Sequence, residues 1–150
     1  MDRTQKTEIV NMCMVYDKNF VLVQNKIHDE WGGLTFPGGH VEKDESLSDA
    51  VIREVFEETG LTIEDPVLCG TKQFQTEEDA RYVVFFFRAS KFSGTLTASS
   101  EGAVFWIDRK DLPKYPLSMD MLAMVEVMER QDLSEFYYCK ENGNWKYKLL

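Results

Sequence analysis

Cysteine, positive charge and long apolar runs are all scarce in this chain. The three cysteines, Cys13, Cys69 and Cys139, are odd in number and nowhere spaced as C-x-x-C. Neither a disulfide framework nor a zinc site is therefore indicated, and free thiols are expected. Lysine and arginine total 17 against 26 aspartates and glutamates, for a formal net charge of −9. That balance argues against a partner in duplex nucleic acid, whose binders carry basic stripes that displace counterions from phosphate. No stretch approaches the roughly 18–20 apolar residues needed to span a bilayer, and the N-terminus MDRTQKTEIV lacks the apolar core of a secretion signal. A cytoplasmic protein with no membrane partner is the expectation. Internal repeats and low-complexity segments are also absent. The two histidines, His28 and His40, stand in no metal-ligand spacing.

Hydrophobic residues make up 43% of the chain and aromatics 13%, enough for a packed interior in 150 residues. This length predicts a single domain over 1–150. β-Branched and apolar runs at Thr7 to Tyr16 and Phe20 to Gln24, parted by a polar turn, predict paired strands. A loop to Gly33 and a glycine-interrupted strand from Leu34 to Val41 come next. From Ser46 to Thr59 the period changes, with Leu47, Ala50, Val51 and Val55 forming the stripe of an amphipathic helix. Ser46 with Asp49 resembles an N-terminal cap, and Gly60 sits where a C-terminal cap belongs. Further strands are predicted at Val67 to Gln75, Arg81 to Phe92 and Ala103 to Ile107. A helix over about 118–131, with Leu122, Val125 and Met128 on one face, and a hairpin around Asn142-Gly143 complete the chain. The fold class is α/β or α+β, with two helices flanking a mixed sheet.

The helix carries Glu54, Glu57 and Glu58 at i, i+3 and i+4, which places three carboxylates on one side. Like charges at this spacing destabilise a helix by ~0.2–0.5 kcal/mol each, so their presence asks for a reason. A solvated acidic face is one answer. An oxygen-ligand site for Mg²⁺ or Mn²⁺, bridging to substrate phosphates, is the other.

Local context favours the second. The segment from Gly39 to Leu61 resembles the Nudix box: Gly39, five residues, Glu45, seven residues, then Arg53-Glu54-Val55-Phe56-Glu57-Glu58-Thr59-Gly60-Leu61. With each residue type at ~6% usage, the seven fixed positions coincide by chance on the order of 10⁻⁹ per starting point. The resemblance implies a Nudix α/β/α sandwich with a mixed sheet and a box helix. It also implies a metal-dependent hydrolase of diphosphate bonds in nucleotide derivatives.

Carried over position by position, it makes Glu54, Glu57 and Glu58 the candidate metal ligands, with the backbone carbonyl of Gly38 as a further donor. Glu54 and then Glu101 are the candidates to take the proton of an attacking water; a surface acid is the competing reading of Glu101. Glu57 joins them among the catalytic candidates. Arg53 is expected to pair with Glu45 or Glu54, and Gly39, Glu45 and Gly60 to shape the loop and helix end. Gln24, Lys26 and Trp31 are candidates for substrate contact, against plain exposure for the first two and packing for Trp31.

The box does not name the substrate. By resemblance to MutT-type enzymes the leading form is a nucleoside triphosphate such as 8-oxo-dGTP. RNA 5′ ends, dinucleoside polyphosphates and nucleotide sugars are the alternatives, and a non-catalytic nucleotide-sensing module is a different class. The terminal hairpin is left with three roles: completing the sheet, covering the site, or pairing across a homodimer of an otherwise monomeric protein.

Overall fold

The computed structural model describes residues 1–26 and 32–150, so Trp31 and His28 lie outside the described residues. Strand β1 (Thr7–Asp17) turns into β2 (Phe20–Asn25), and a two-residue strand, β3 (Leu34–Thr35), precedes helix α1 (Leu47–Thr59). β4 (Leu61–Glu64), β5 (Val67–Gln75), β6 (Arg81–Ala89), β7 (Lys91–Gly94) and β8 (Ala103–Asp108) follow. A 3-10 turn (Arg109–Lys114), helix α2 (Met121–Glu129) and the hairpin β9 (Glu135–Glu141) and β10 (Asn144–Leu149) close the order.

The main sheet runs β10-β9-β5-β6-β1-β2-β3, with β8 on the free side of β2. β1 lies parallel to β6 and β5 parallel to β9, while the other pairs of this sheet are antiparallel. Alternation along β1 creates two cores. Val10 and Met14 pack with Met124, Val125 and Met128 of α2; Cys13 and Val15 pack with Val51 and Val55 of α1. The expected sandwich, a mixed sheet with a helix on each face, is what the chain forms.

Helix α1 follows its sequence signals closely. The Ser46 hydroxyl accepts the Asp49 N–H at 3.0 Å, leaving Ser46 as the cap. Gly60 ends the helix at φ 76°, and its N–H donates to the Phe56 carbonyl at 2.8 Å.

Other boundaries depart from expectation. The run from Arg81 to Phe92 is two strands, because after Ala89 the chain leaves β6 and Lys91–Gly94 pairs with β4, a strand the sequence did not suggest. Leu34 to Val41 holds only two strand residues; beyond them, irregular backbone lies along β1. Helix α2 starts at Met121 because Asp120 adopts a left-handed conformation at φ 56°. This start turns Met121 and Met124 inward with Val125 and Met128, and leaves Leu122 44% exposed.

Candidate active site

The segment Phe36-Pro37-Gly38-Gly39 is stitched to β1 by backbone bonds: Asn11 N–H to the Gly39 carbonyl at 2.8 Å and Cys13 N–H to the Pro37 carbonyl at 2.9 Å. The approach is so close that a Cβ on Gly38 would lie 2.1 Å from the Asn11 carbonyl oxygen. A Cβ on Gly39 would lie 2.5 Å from the Glu54 carboxylate. Glycines here leave room for oxygen ligands at the mouth of the box helix.

Arg53 organises that helix. Its guanidinium donates to both Glu45 oxygens (2.7 and 3.0 Å), to Glu54 Oε1 (2.9 Å), to Glu57 Oε2 (3.1 Å) and to the His40 carbonyl (2.9 Å). The expected pairing with Glu45 or Glu54 is met by both. Arg53 in turn holds the Glu45 carboxyl below its ordinary value and is itself shifted upward by Glu45. Glu57 is 55% exposed and faces Arg53.

Glu58 points the other way. Its side chain is 3% exposed; it accepts the Gly38 N–H at 3.1 Å and lies 3.5 Å from Lys26 Nζ. Lys26 also reaches Glu101 at 3.8 Å, so the loop acid stands beside the box carboxylates. Burial pushes Glu58 up to about 8; Lys26 and the Gly38 N–H oppose this, and the Glu101 carboxyl adds to it. Glu54 is raised too, by burial first, against Arg53 and with Glu57 and Glu101.

Glu54, Glu58, Glu101, Lys26, Gly38 and Gly39 line one end of a cleft of about 1270 Å³. Its other end is lined by Lys72, Phe74, Tyr82, Met124 and Tyr138, supplied by β5, β6, α2 and β9. Glu57 and Gln24 are not among the described lining residues. Gln24 is fully buried between β3 and β8, and its Oε1 and Nε2 have no partner among the described residues. His40 is exposed and bonded to Glu8 at 2.6 Å. A second pocket, of about 220 Å³ around Arg88 and Lys91, shares no residue with the carboxylates.

Whether this donor set suits a divalent cation is a question of kind and of arrangement. In kind it fits: hard oxygen donors, a backbone carbonyl left accessible by glycines, and two carboxyls, Glu54 and Glu58, whose ionised forms burial disfavours and a cation would favour. In arrangement, no three His, Cys, Asp or Glu side chains among the described residues stand together at ligating spacing. Glu54 and Glu57 are held instead by Arg53, and would turn from it to a cation.

The NUDIX domain family matches residues 6–128. The chain belongs to that family. Two relatives, each 31% identical, align over most of both chains. The Nudix hydrolase YvcI of Bacillus subtilis aligns over 77% of this chain and 74% of its own length; the CTP pyrophosphohydrolase of Escherichia coli aligns over 79% and 88%. The MutT protein of Bacillus halodurans has a TM-score of 0.75 at 28% identity, over 95% of this chain and 97% of its own. As a Nudix hydrolase the chain is an enzyme, and the family supports hydrolysis of nucleotide-linked substrates. None of its described helices is long and apolar enough to cross a membrane.

The ring end of the Nudix cleft was not found by sequence reasoning. Lys72, Phe74, Tyr82 and Tyr138 are scattered over strands whose neighbours are set by tertiary pairing. The one available signal was the alternation of Lys72 and Phe74 in the second half of a strand, between the polar residues Thr71, Gln73 and Gln75.

Proposed function

We propose that this chain, a single domain in the cytoplasm acting as a monomer or homodimer, hydrolyses the diphosphate bond of a nucleoside triphosphate. The products are a nucleoside monophosphate and inorganic diphosphate, and an oxidised purine such as 8-oxo-dGTP is the leading substrate form. The observation that carries the reading is the two-ended cleft: carboxylates and a lysine at one end suit metal-bridged phosphates, and rings at the other suit a base.

Glu54, Glu57, Glu58 and the Gly38 carbonyl would hold Mg²⁺ or Mn²⁺, which supplies charge neutralisation on the diphosphate and a more acidic water. Glu54, already raised by burial, takes the proton of the attacking water, with Glu101 as the second candidate. Lys26, placed between Glu58 and Glu101, offers positive charge to phosphoryl oxygens. Arg53 keeps Glu54 oriented through its 2.9 Å bond. Gln24 and Trp31 remain candidates for substrate contact, though Gln24 would have to act from a buried position.

The test is turnover of dGTP, 8-oxo-dGTP, ADP-ribose, a dinucleoside polyphosphate and a triphosphate-ended RNA, run in heavy-oxygen water so that the labelled fragment identifies the phosphorus attacked. Release of labelled products from a nucleoside triphosphate, lost in excess chelator, is expected. Full turnover in chelator would sink the metal mechanism, and an 8-oxo-dGTP rate no better than dGTP would remove the oxidised-purine reading.

A further inference from the structure

The ring end of the cleft has an organisation that follows from register. Phe74 faces Tyr82 across β5 and β6, and Tyr82 faces Glu8 across β6 and β1, so these side chains share one face of the sheet. β9 joins β5 in parallel, with Phe136 opposite Lys72, and carries Tyr138 two residues further on the same face. The result is a row of rings. Phe74 stacks on Tyr82 at 5.3 Å, and Tyr138 meets Phe74 edge-on at 5.9 Å. Trp145 of β10 closes on both, at 6.0 Å from Phe74 and 6.1 Å from Tyr138. Helix α2 packs beside this row, and Phe74, Tyr82 and Tyr138 remain half-buried.

Lys72 stands between the row and α2. Its Nζ lies 5.0 Å from the Tyr138 ring centroid, 5.4 Å from that of Phe136 and 3.9 Å from the Met124 sulfur. Among the described residues it has no oxygen acceptor within hydrogen-bonding reach. Burial lowers the Lys72 ammonium from its ordinary value; Asp120 is near enough to oppose this, but the Asp120 carboxylate accepts from the Tyr138 hydroxyl. An ammonium group has three donors and no acceptor, and partial burial leaves few waters to serve it. The Ser118 hydroxyl, also lining the cleft, is buried with no partner among the described residues.

Resting on the nucleotide reading above, we propose that Lys72 is a specificity-determining residue that selects a nucleobase turning a carbonyl oxygen, rather than an amino group, toward it. The hairpin beyond the family-matched residues supplies half of the wall on which that base lies. A carbonyl accepts from Lys72; an exocyclic amine in the same position sets donor against donor and leaves both unpaired. Inosine and adenosine nucleotides differ in this respect at one carbon of the purine, and uridine and cytidine nucleotides at one carbon of the pyrimidine. In each pair the neighbouring ring nitrogen also changes, from N–H donor beside the carbonyl to acceptor beside the amine, so loss of the preference in the Lys72 variants is what assigns it to Lys72.

The experiment reads binding, separately from turnover: calorimetry of inosine against adenosine 5′-monophosphate and of uridine against cytidine 5′-monophosphate. Wild type, Lys72→Met and Lys72→Gln are compared, each checked for fold by circular dichroism. The wild type is expected to favour the carbonyl member of at least one pair by about tenfold, the equivalent of ~1.4 kcal/mol. Lys72→Met is expected to bring the pairs within about twofold, and Lys72→Gln, which can donate and accept, to do the same. Equal binding of both pairs by the wild type overturns the proposal, as does a preference that survives in a folded Lys72 variant. Loss of hydrolysis with the binding preference intact would instead break the reaction proposed above and leave the base reader standing.

Discussion

At the carboxylate end of the cleft, side chains are held by directional bonds; at the ring end, they are held by packing. Arg53, the Gly38 N–H and Lys26 fix Glu45, Glu54, Glu57 and Glu58 at stated oxygens. Phe74, Tyr82, Tyr138 and Trp145 are placed by strand register and by each other. Angular control suits bond-breaking, where a small misplacement costs rate. Stacking tolerates displacement and suits recognition. Changes at the first end should therefore alter the rate on every substrate alike, and changes at the second should alter which substrate is held.

The largest expected effect is at Glu57. Glu57→Gln should lower kcat by about 10²–10³-fold on all substrates, the scale of losing one electrostatic contact to a transition state. Its circular dichroism should be unchanged, because the side chain is 55% exposed. Base-dependent losses would break the division.

Next is the linkage of cation to proton at Glu58. Its folded value is raised from 4.5 to about 8, so between those limits the folded state keeps a proton that the unfolded chain has lost. In chelator, the contribution of Glu58 to stability should therefore be fully present below about 4.5 and be lost as pH rises toward 8. Binding a cation there displaces that proton, so Mg²⁺ affinity should climb with pH at up to ~tenfold per unit across the window. Thermal melts at pH 5.5, 7 and 8.5, with and without Mg²⁺, measure both slopes; a Mg²⁺ effect independent of pH would count against Glu58 as a ligand.

Tyr138→Ala should come third, raising KM for nucleotides by the ~1–3 kcal/mol of a lost base–ring stack while kcat at saturation holds. A fall in kcat with KM unmoved would put the hairpin on the chemical side of the comparison. Smallest is Ser46→Ala, which removes the cap of α1 and should cost ~1 kcal/mol of stability. In a chain of this size that is ~2–4 °C in Tm. Turnover per folded molecule should not change, since the Ser46 hydroxyl accepts only from the backbone of Asp49.

The two ends were not equally legible. The box helix could be outlined from residue order because its determinants are local: the stripe of Leu47, Val51 and Val55, the Ser46 cap, the Gly60 stop, and carboxylates at i, i+3 and i+4. The ring end depends on β9 pairing with β5 across more than sixty residues, and on the parallel match of Glu8 with Tyr82. Periodicity carries no such information. β4 was missed for the same reason, being four residues long with its partner thirty residues away. Phe92 continued the apolar run of β6 and hid the break at Ser90. In α2, nearly every position is apolar, so the pattern wrongly put Leu122 on the inner face with Val125 and Met128; the left-handed turn at Asp120 set the face instead.

Arg53 has a consequence for how the enzyme meets its ion supply. With its five bonds it stands as a resident counter-charge to the acidic helix, so the repulsion among Glu45, Glu54 and Glu57 is answered by the chain itself. If the proposed metal site is right, folding and ion loading become separate events. On the proposed reaction, a cell starved of divalent cation would accumulate a finished but silent protein, and replenishing the ion would restart it without new synthesis.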